Sequence, residues 1–203
     1  MEVIELKNIN LQIANQIILT NFNLKIKKGD KILISGKSGK GKSTILKILL
    51  GFTDFDTGKY LIDKHEIKES DFTKTRQLYA YINQDVSLRN IQVKKLLKEV
   101  ADFNHNKYLG QFDTELADKL DFDMKLLDKY VSDLSGGERV RLGIIIAVML
   151  DRPVYLLDEI TAALDEELKE KVVAYFSEID ATVISVSHDS NWKKNTIFKE
   201  ISW

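Results

Sequence analysis

A glycine- and lysine-rich octapeptide constrains the fold of this chain more than any other feature. The octapeptide is Gly36-Lys37-Ser38-Gly39-Lys40-Gly41-Lys42-Ser43. Its spacing is typical of a phosphate-binding loop, in which glycines let backbone N–H groups converge on phosphate oxygens at the start of a helix. The apolar run Lys31–Ser35 before it predicts a short strand, and Thr44–Leu50 after it predicts a helix. The sequence therefore predicts a strand, a phosphate-binding loop and a helix in direct succession.

The second feature is an apolar strand pattern that ends in two carboxylates. Val154–Leu157 is followed by Asp158 and Glu159. In phosphate-loop enzymes an aspartate at such a strand end holds Mg²⁺ beside the loop hydroxyl, which predicts Asp158 and Ser43 as metal ligands. A carboxylate at Glu159 would lie near the γ-phosphate and could polarise an attacking water. A strand followed by Asp-Glu is by itself most often a solvated turn, so this interpretation depends on the preceding loop.

A serine and two glycines before a third helical pattern form another candidate anion site. Ser135, Gly136 and Gly137 precede the predicted helix Glu138–Leu150 and offer a hydroxyl and free N–H groups. An ordinary helix cap is the alternative interpretation. One nucleotide needs only one helix N-terminus that binds its phosphates. The presence of a second such N-terminus therefore predicts a nucleotide site shared between two molecules.

The remaining patterns predict an α/β fold. Short alternating runs in the N-terminal third indicate antiparallel strands at Val3–Leu6, Ile17–Leu19 and Phe22–Ile26. The highly charged stretch Asp85–Lys129 favours a mainly helical lobe. Helix and strand patterns then alternate, with Glu166–Phe176 as a helix and Thr182–Val186 as a strand, which is typical of a parallel sheet covered by helices.

Composition and charge exclude several classes of protein. A chain of 203 residues suits one domain, and its net charge of -1 argues against broad nucleic-acid binding, which needs an excess of Lys and Arg. Cysteine is absent, which excludes disulfides and thiolate metal sites. No secretion signal is expected at the N-terminus, and the longest apolar run, Leu142–Leu150, is too short to span a bilayer. We therefore expect a cytoplasmic protein that would serve a membrane process only by docking on a separate membrane subunit.

These motifs and their order resemble the nucleotide-binding domain of the ATP-binding cassette (ABC) superfamily, and the match runs through the whole chain. Leu134–Glu138 resembles the family signature, and Tyr81–Gln84 is similar to its glutamine loop. Ala163–Asp165 resembles the D-loop, and Ser185–Asp189 the switch-histidine loop. The resemblance implies a P-loop NTPase fold of the ABC type, with a mainly parallel core sheet, an N-terminal antiparallel β-subdomain and an inserted α-helical subdomain. We expect a single domain over 1–203, with the catalytic core at about 1–84 and 151–203 and the helical lobe at about 85–150.

The resemblance also implies a head-to-tail dimer that hydrolyses ATP. Gln84 would contact Mg²⁺ and sense the membrane partner, Asp165 would cross to the other subunit, and His188 would donate to the γ-phosphate. The implied nucleotide-binding residues are Gly36, Lys37, Ser38, Gly39, Lys40, Gly41, Lys42, Ser43, Thr44, Gln84, Ser135, Gly136, Gly137 and Asp165. The implied metal ligands are Ser43, Gln84 and Asp158, and the implied catalytic residues are Glu159, His188 and Lys42.

Two function classes remain open at this point. In the first, the chain is the ATP-binding subunit of an ABC transporter, a homodimer held to the cytoplasmic face of the membrane by a separate permease subunit. In the second, it is a soluble ABC ATPase without a transport role, or the cassette of a signalling membrane complex. One departure from the family concerns adenine: the position that usually stacks an aromatic ring falls at Ile13 or a neighbour, and no Phe, Trp or Tyr lies between Met1 and Thr20.

Overall fold

The computed structural model describes residues 3–36, 41–103 and 114–202. In chain order the strands are β1 (Val3–Ile13), β2 (Gln16–Lys27), β3 (Lys31–Ser35), β4 (Thr57–Ile62), β5 (His65–Glu66), β6 (Tyr79–Asn83), β7 (Val154–Asp158), β8 (Thr182–Val186) and β9 (Lys199–Ser202). The helices are α1 (Lys42–Leu49), α2 (Phe72–Thr75), α3 (Val93–Phe103), α4 (Thr114–Lys119), α5 (Gly136–Met149), α6 (Glu166–Glu178) and α7 (Ser190–Lys194). The predicted loop residues Lys37, Ser38, Gly39 and Lys40 lie outside the described residues.

The strands form two sheets. One is antiparallel with the order β2-β1-β4-β5, and the other is parallel with the order β6-β7-β8-β3-β9. The predicted combination of an antiparallel N-terminal part and a mainly parallel core sheet is thereby confirmed, as is the α/β fold. Within the described residues, no helix has the length and hydropathy of a membrane-spanning segment.

Side chains of alternating direction on β3 enter two hydrophobic cores. Ile32 and Ile34 pack with α1 and the inner face of the antiparallel sheet, whereas Leu33 packs with α5, α6 and the helices that follow β6. The three central strands β3, β7 and β8 are buried on both faces, which explains the nearly continuous apolar runs from which they were predicted. The predicted β3 and β8 agree with the structure residue for residue.

The predicted runs Ile17–Leu19 and Phe22–Ile26 belong to one strand, so their separation was wrong. Asn21, between them, has a left-handed backbone with φ of 46°. Its N–H donates to Asn10 Oδ1 over 2.8 Å, so a side-chain amide replaces a bond of the strand ladder at this irregular position. The chain therefore passes through the irregularity without leaving the sheet.

Two helix starts also lie earlier than predicted. α1 begins at Lys42 and α5 begins at Gly136, two residues before the predicted Thr44 and Glu138 in each case. Both starts lie inside the glycine-containing motif: Gly41 caps α1, and Gly136 and Gly137 form the first positions of α5 in spite of the low helix propensity of glycine. The apolar run Leu142–Leu150 largely forms α5, whose buried residues confirm the prediction of a buried helix.

Candidate functional site

Four strands of the parallel sheet end at the same edge, and each is followed by a predicted site residue. Gly36 follows β3, Gln84 follows β6, Glu159 follows β7, and His188 comes two residues after β8. The register sets Asn83 of β6 beside Asp158 of β7, which in turn lies beside Val186 of β8. Since the carboxyl ends of parallel strands meet at one edge, this register brings together residues that are distant in the sequence.

The described ends of the phosphate loop are held close together. Lys42 is buried, and its Nζ donates to the carbonyl oxygen of Gly36 over 2.9 Å. Gly41 precedes α1 with φ of 86°, and a Cβ built there would lie 2.5 Å from Cγ2 of Ile18 in β2. Glycine at 41 is thus required twice, by the left-handed backbone and by the close approach of Ile18.

The first two motifs of the sequence meet through a hydrogen bond. Ser43 Oγ, in the first turn of α1, donates to Asp158 Oδ1 at the end of β7 over 2.7 Å. The second carboxylate oxygen of Asp158 accepts from the hydroxyl of Tyr81 over 3.2 Å. Burial and the negative charge of Asp158 raise the pKa of Tyr81 to about 12, so this hydroxyl keeps its proton and remains a donor at neutral pH.

Glu159 and His188 form a second contact beside this pair. His188 Nδ1 lies 3.1 Å from Oε1 and 3.0 Å from Oε2 of Glu159. The imidazole is largely exposed, whereas the carboxylate is mostly covered. Glu159 has φ of 53°, a conformation that costs a non-glycine residue about 1–3 kcal/mol, and its N–H donates to the carbonyl of Val186 over 2.9 Å. The β7–β8 pairing thus supports a strained residue at the sheet edge.

The third motif caps helix α5. Ser135 Oγ accepts from the N–H of Glu138 over 3.3 Å, and the N–H of Ser135 donates to Glu138 Oε2 over 2.7 Å. This reciprocal arrangement is a capping box, as the alternative interpretation required. Gly136 and Gly137 form the first helical positions, where N–H groups have no acceptor within the helix. A Cβ built on Gly136 would meet no atom within 4 Å, so the approach to this turn is open.

The segment between Glu159 and α6 contacts the start of α5. A Cβ built on Gly137 would lie 3.5 Å from the carbonyl oxygen of Ala163. Asp165 then caps α6, because its Oδ1 accepts from the N–H of Leu168 over 2.9 Å. Ala163 and Asp165 are exposed. The predicted D-loop therefore lies on the surface beside the predicted signature.

Gln84 lies at a surface groove of about 560 Å³. The groove is lined by the segment after β6, by the start of α5 and by Ala163, with Val86, Leu88, Val131 and Val140 as its apolar residues. Val86 also packs tightly on α5, since a Cβ built on Gly143 would approach its Cγ1 to 2.9 Å. The glutamine side chain is exposed and directly follows the end of β6.

Tyr81 and Ile18 were not predicted as site residues. Tyr81 lies two positions before Asn83 on β6 and shares its face, so the period of two along a strand together with the β6–β7 register would have placed it near Asp158. Ile18, in the antiparallel sheet, contacts Gly41 at the start of α1. No local sequence signal indicates this contact, because it depends on how the sheets pack.

Comparison with known proteins finds relatives in the ABC transporter family. A sequence profile described as ABC transporter matches residues 19–162. The ATP-dependent lipid A-core flippase of Pectobacterium atrosepticum is 32% identical over 179 residues, which cover 84% of this chain and 31% of the flippase. The flippase of Escherichia coli strain K12 gives the same identity and coverage. This chain thus spans 31% of the length of these curated relatives.

Solved structures of similar fold include two dimers. A dimeric bacterial ABC transporter cassette superposes with a TM-score of 0.81 at 25% identity, over 98% of this chain and 94% of that one. A dimeric cassette in a post-hydrolysis state, bound to ADP and Pi, gives 0.77 at 28% identity, over 93% and 89%. A bacterial Atm1-family ABC exporter with ATP bound gives 0.80 at 26% identity, over 94% of this chain and 35% of the exporter.

Proposed function

The chain belongs to the ABC transporter family, and from this premise we propose that it is an ATP-binding subunit that hydrolyses ATP in a head-to-tail dimer and drives transport by a separate membrane subunit. The observation that carries the proposal is the hydrogen bond of 2.7 Å between Ser43 Oγ and Asp158 Oδ1. It joins the phosphate loop to the carboxylate strand, two motifs separated by 115 residues. Glu159 and His188 lie in contact directly beside this pair.

The geometry supports hydrolysis of the γ-phosphoryl group. Lys42 would stabilise the phosphate charge, and Glu159 would orient the attacking water and accept its proton. The water oxygen would form a bond to the γ-phosphorus while the bond to the β,γ-bridging oxygen breaks, giving ADP and phosphate. His188, held against Glu159, would donate a hydrogen bond to a γ-phosphate oxygen. Its exposed ring leaves space for a ligand on the other side.

Oxygen atoms of the right chemistry for Mg²⁺ meet at the same edge of the sheet. The Ser43 hydroxyl and the Asp158 carboxylate are already in contact, and hard oxygen ligands are those that Mg²⁺ prefers. These two residues would hold the ion, together with Gln84, which follows the strand beside Asp158. When bound, Mg²⁺ would neutralise charge on the β- and γ-phosphate oxygens. Within the described residues, no cluster of three or more His, Cys, Asp or Glu side chains offers an alternative metal site.

A second copy of the chain would complete each nucleotide site. The open first turn of α5 presents N–H groups of Gly136 and Gly137, together with the Ser135 hydroxyl, to an anion outside the molecule. The predicted site residues Gly36 to Thr44 would bind the same ATP from the opposing subunit. Asp165, on the exposed segment beside the signature, would reach across the interface. The dimeric relatives support this arrangement, and a homodimer is the simplest form of it.

The groove at Gln84 supports the membrane part of the proposal. Its lining combines apolar side chains with polar and charged ones such as Asp85 and Arg139, which together with its volume of about 560 Å³ suits one short amphipathic helix of a membrane subunit. Because the groove includes both Gln84 and Gly136, a helix bound there would contact the segment after β6 and the signature turn together. This would place the cassette on the cytoplasmic face of the membrane and transmit dimer closure to the permease.

The hydrolysis part is tested by phosphate release from Mg-ATP. The unchanged protein should hydrolyse ATP, and Glu159→Gln should lower kcat by about 100-fold or more, because an amide cannot accept the proton of water. The matched control is Glu167→Gln, which makes the same change at an exposed glutamate of α6. Equal rates for Glu159→Gln and the unchanged protein would contradict the proposal.

The docking part is tested by membrane fractionation from cells that produce the full complex. Leu88→Glu places a charge in the groove and should move the cassette from the membrane to the soluble fraction while ATP hydrolysis persists. The control is Met124→Glu, at an exposed apolar side chain outside the groove lining. A cassette that never associates with membranes would favour the soluble ABC ATPase instead.

A further inference from the structure

The position of His188 depends on the backbone on either side of it. Its side chain is 75% exposed, so packing does not hold the ring beside Glu159. Before it, the N–H of Ser187 donates to the carbonyl of Ile34 over 3.3 Å, at the end of the parallel sheet. After it, Asp189 caps the short helix α7 by accepting from the N–H of Asn191 over 2.9 Å. The backbone that carries His188 is thus anchored to the parallel sheet on one side and to α7 on the other.

Asn191 ties α7 to the start of α6. Its Nδ2 donates to Glu166 Oε1 over 2.7 Å, and the asparagine is only 6% exposed. This hydrogen bond is the main cause that lowers the pKa of Glu166, so the carboxylate is a charged acceptor at neutral pH. Glu166 directly follows Asp165, the residue proposed to cross to the second subunit. The hydrogen bond between Asn191 and Glu166 therefore also links α7 to the segment that leads to the proposed dimer interface.

Trp192 ties α7 to the loop that follows Glu159. Its indole is fully buried, and its Nε1 donates to Thr161 Oγ1 over 3.3 Å. Thr161 is also buried and lies two residues after Glu159. The ring of Phe198 packs edge-on against the indole, with 5.0 Å between the ring centroids. Because this hydrogen bond is shielded from water, its loss would leave buried polar groups without a partner.

We propose that Asn191 and Trp192 are positioning residues for ATP hydrolysis. They hold the segment that carries His188 against the segment that begins at Glu159 and ends at α6, so that the two side chains meet in one geometry. The proposal rests on the proposed function, because it concerns the same hydrolysis step. α7 would thereby fix the position of His188, which contacts the γ-phosphate, relative to Glu159, which orients the water.

The test exchanges donor and acceptor in the Asn191–Glu166 pair. Asn191→Asp removes the amide donor and places two carboxylates in contact, a repulsion that Lys169, 3.4 Å from Glu166 and 3.5 Å from Asp189, offsets only in part, so the link between α7 and α6 should weaken. Combined with Glu166→Gln, the hydrogen bond re-forms in the opposite direction, since the new amide donates to the new carboxylate. The double variant has the same net charge as the unchanged protein. If kcat recovers in the double variant, the hydrogen bond between positions 191 and 166 is what matters, and not the identity of either side chain.

The readout is steady-state hydrolysis of Mg-ATP by the full chain, with its melting temperature as a check of folding. Asn191→Asp should lower kcat by about 10- to 100-fold, because small displacements of reacting groups are costly, and should leave the KM for ATP within about twofold. The phosphate loop that binds ATP is untouched by this change. The double variant should recover most of kcat. Asn195→Asp, the same substitution just beyond α7, is the control and should hydrolyse normally.

A second readout reports on His188 without hydrolysis. The chain has 3 histidines, so the imidazole ¹⁵N and ¹H signals of His188 can be assigned with a His188→Asn variant. These signals should move in Asn191→Asp and return in the double variant. Unchanged signals and kcat in Asn191→Asp, or a loss of kcat that the double variant does not recover, would overturn the proposal. Absence of hydrolysis by the unchanged protein would instead refute the proposed function and the proposal with it.

Discussion

At the scale of single residues, the candidate site consists of pairs that each join distant parts of the chain. Ser43 contacts Asp158, and Glu159 contacts His188, in both cases through hydrogen bonds between side chains. Tyr81 adds a neutral donor to Asp158. The Ser43 hydroxyl and the Asp158 carboxylate are hard oxygen ligands of the kind that a divalent cation prefers.

A residue-scale prediction concerns adenine binding. Ile13 pairs with Gln16 next to the β1–β2 turn and is 48% exposed, and Ile18 of the same hairpin packs on Gly41. An aromatic ring at 13 should add stacking worth about 0.5–1.5 kcal/mol, which lowers the Kd for ATP by about two- to tenfold. The measurement is calorimetric titration of ATP into Ile13→Tyr.

The control for this prediction lies on the same hairpin. Ile17 pairs with Gln12, so it faces the opposite side of the sheet from the Ile13–Gln16 pair, and it is 69% exposed. Ile17→Tyr adds the same ring without placing it on the nucleotide side and should leave the Kd unchanged. Equal effects of the two substitutions would show that Ile13 is not beside the base.

At the scale of secondary-structure elements, α5 links the proposed interface to folding stability. The capping box of Ser135 and Glu138 satisfies N–H groups at its start, and its apolar middle is buried between the parallel sheet and the helical lobe. The N–H of Ser135 lowers the pKa of Glu138 below its ordinary value. Stability from this group is therefore present above the unfolded-state pKa of 4.5 and is lost as pH falls through the lower, folded-state pKa.

Removal of the Glu138 charge should therefore destabilise the protein at neutral pH and not at low pH. Glu138→Gln keeps an acceptor for the cap but removes the charge at the helix start, so the variant should be less stable at pH 7 by about 0.5–1 kcal/mol. The difference from the unchanged protein should decrease as the pH is lowered below 4.5. Urea unfolding at several pH values measures it. A difference that stays constant down to pH 3 would contradict the role of the ionised carboxylate.

Much of this element structure could be predicted from the sequence. β3 and β8 were predicted correctly because strands buried on both faces form short, uninterrupted apolar runs. β9 was not predicted, since its side chains are largely exposed and only its pairing with β3 makes it a strand. α7 has five residues, too few for helical periodicity to be recognised. Its contacts with Glu166 and Thr161 depend on tertiary packing and have no local signal.

At the scale of the whole molecule, the residues of one site are expected to come from two copies of the chain. The sequence indicated the shared site through a second helix N-terminus suited to binding phosphate, that of α5. In the structure this N-terminus lies on the surface beside Ala163. The division into a catalytic core at 1–84 and 151–203 and a helical lobe at 85–150 stays a prediction. α3 and α4 of that lobe pack on the same hydrophobic core as α5 and β7.

The most direct test of the shared site is the molar mass of Glu159→Gln in solution, measured by size-exclusion chromatography with light scattering. With Mg-ATP the variant should form a dimer, because it binds ATP but cannot hydrolyse it, and without nucleotide it should be a monomer of about 23.3 kDa. Adding Ser135→Arg should abolish the dimer while ATP still binds. A monomer under all conditions, despite measured ATP binding by Glu159→Gln, would contradict the shared site.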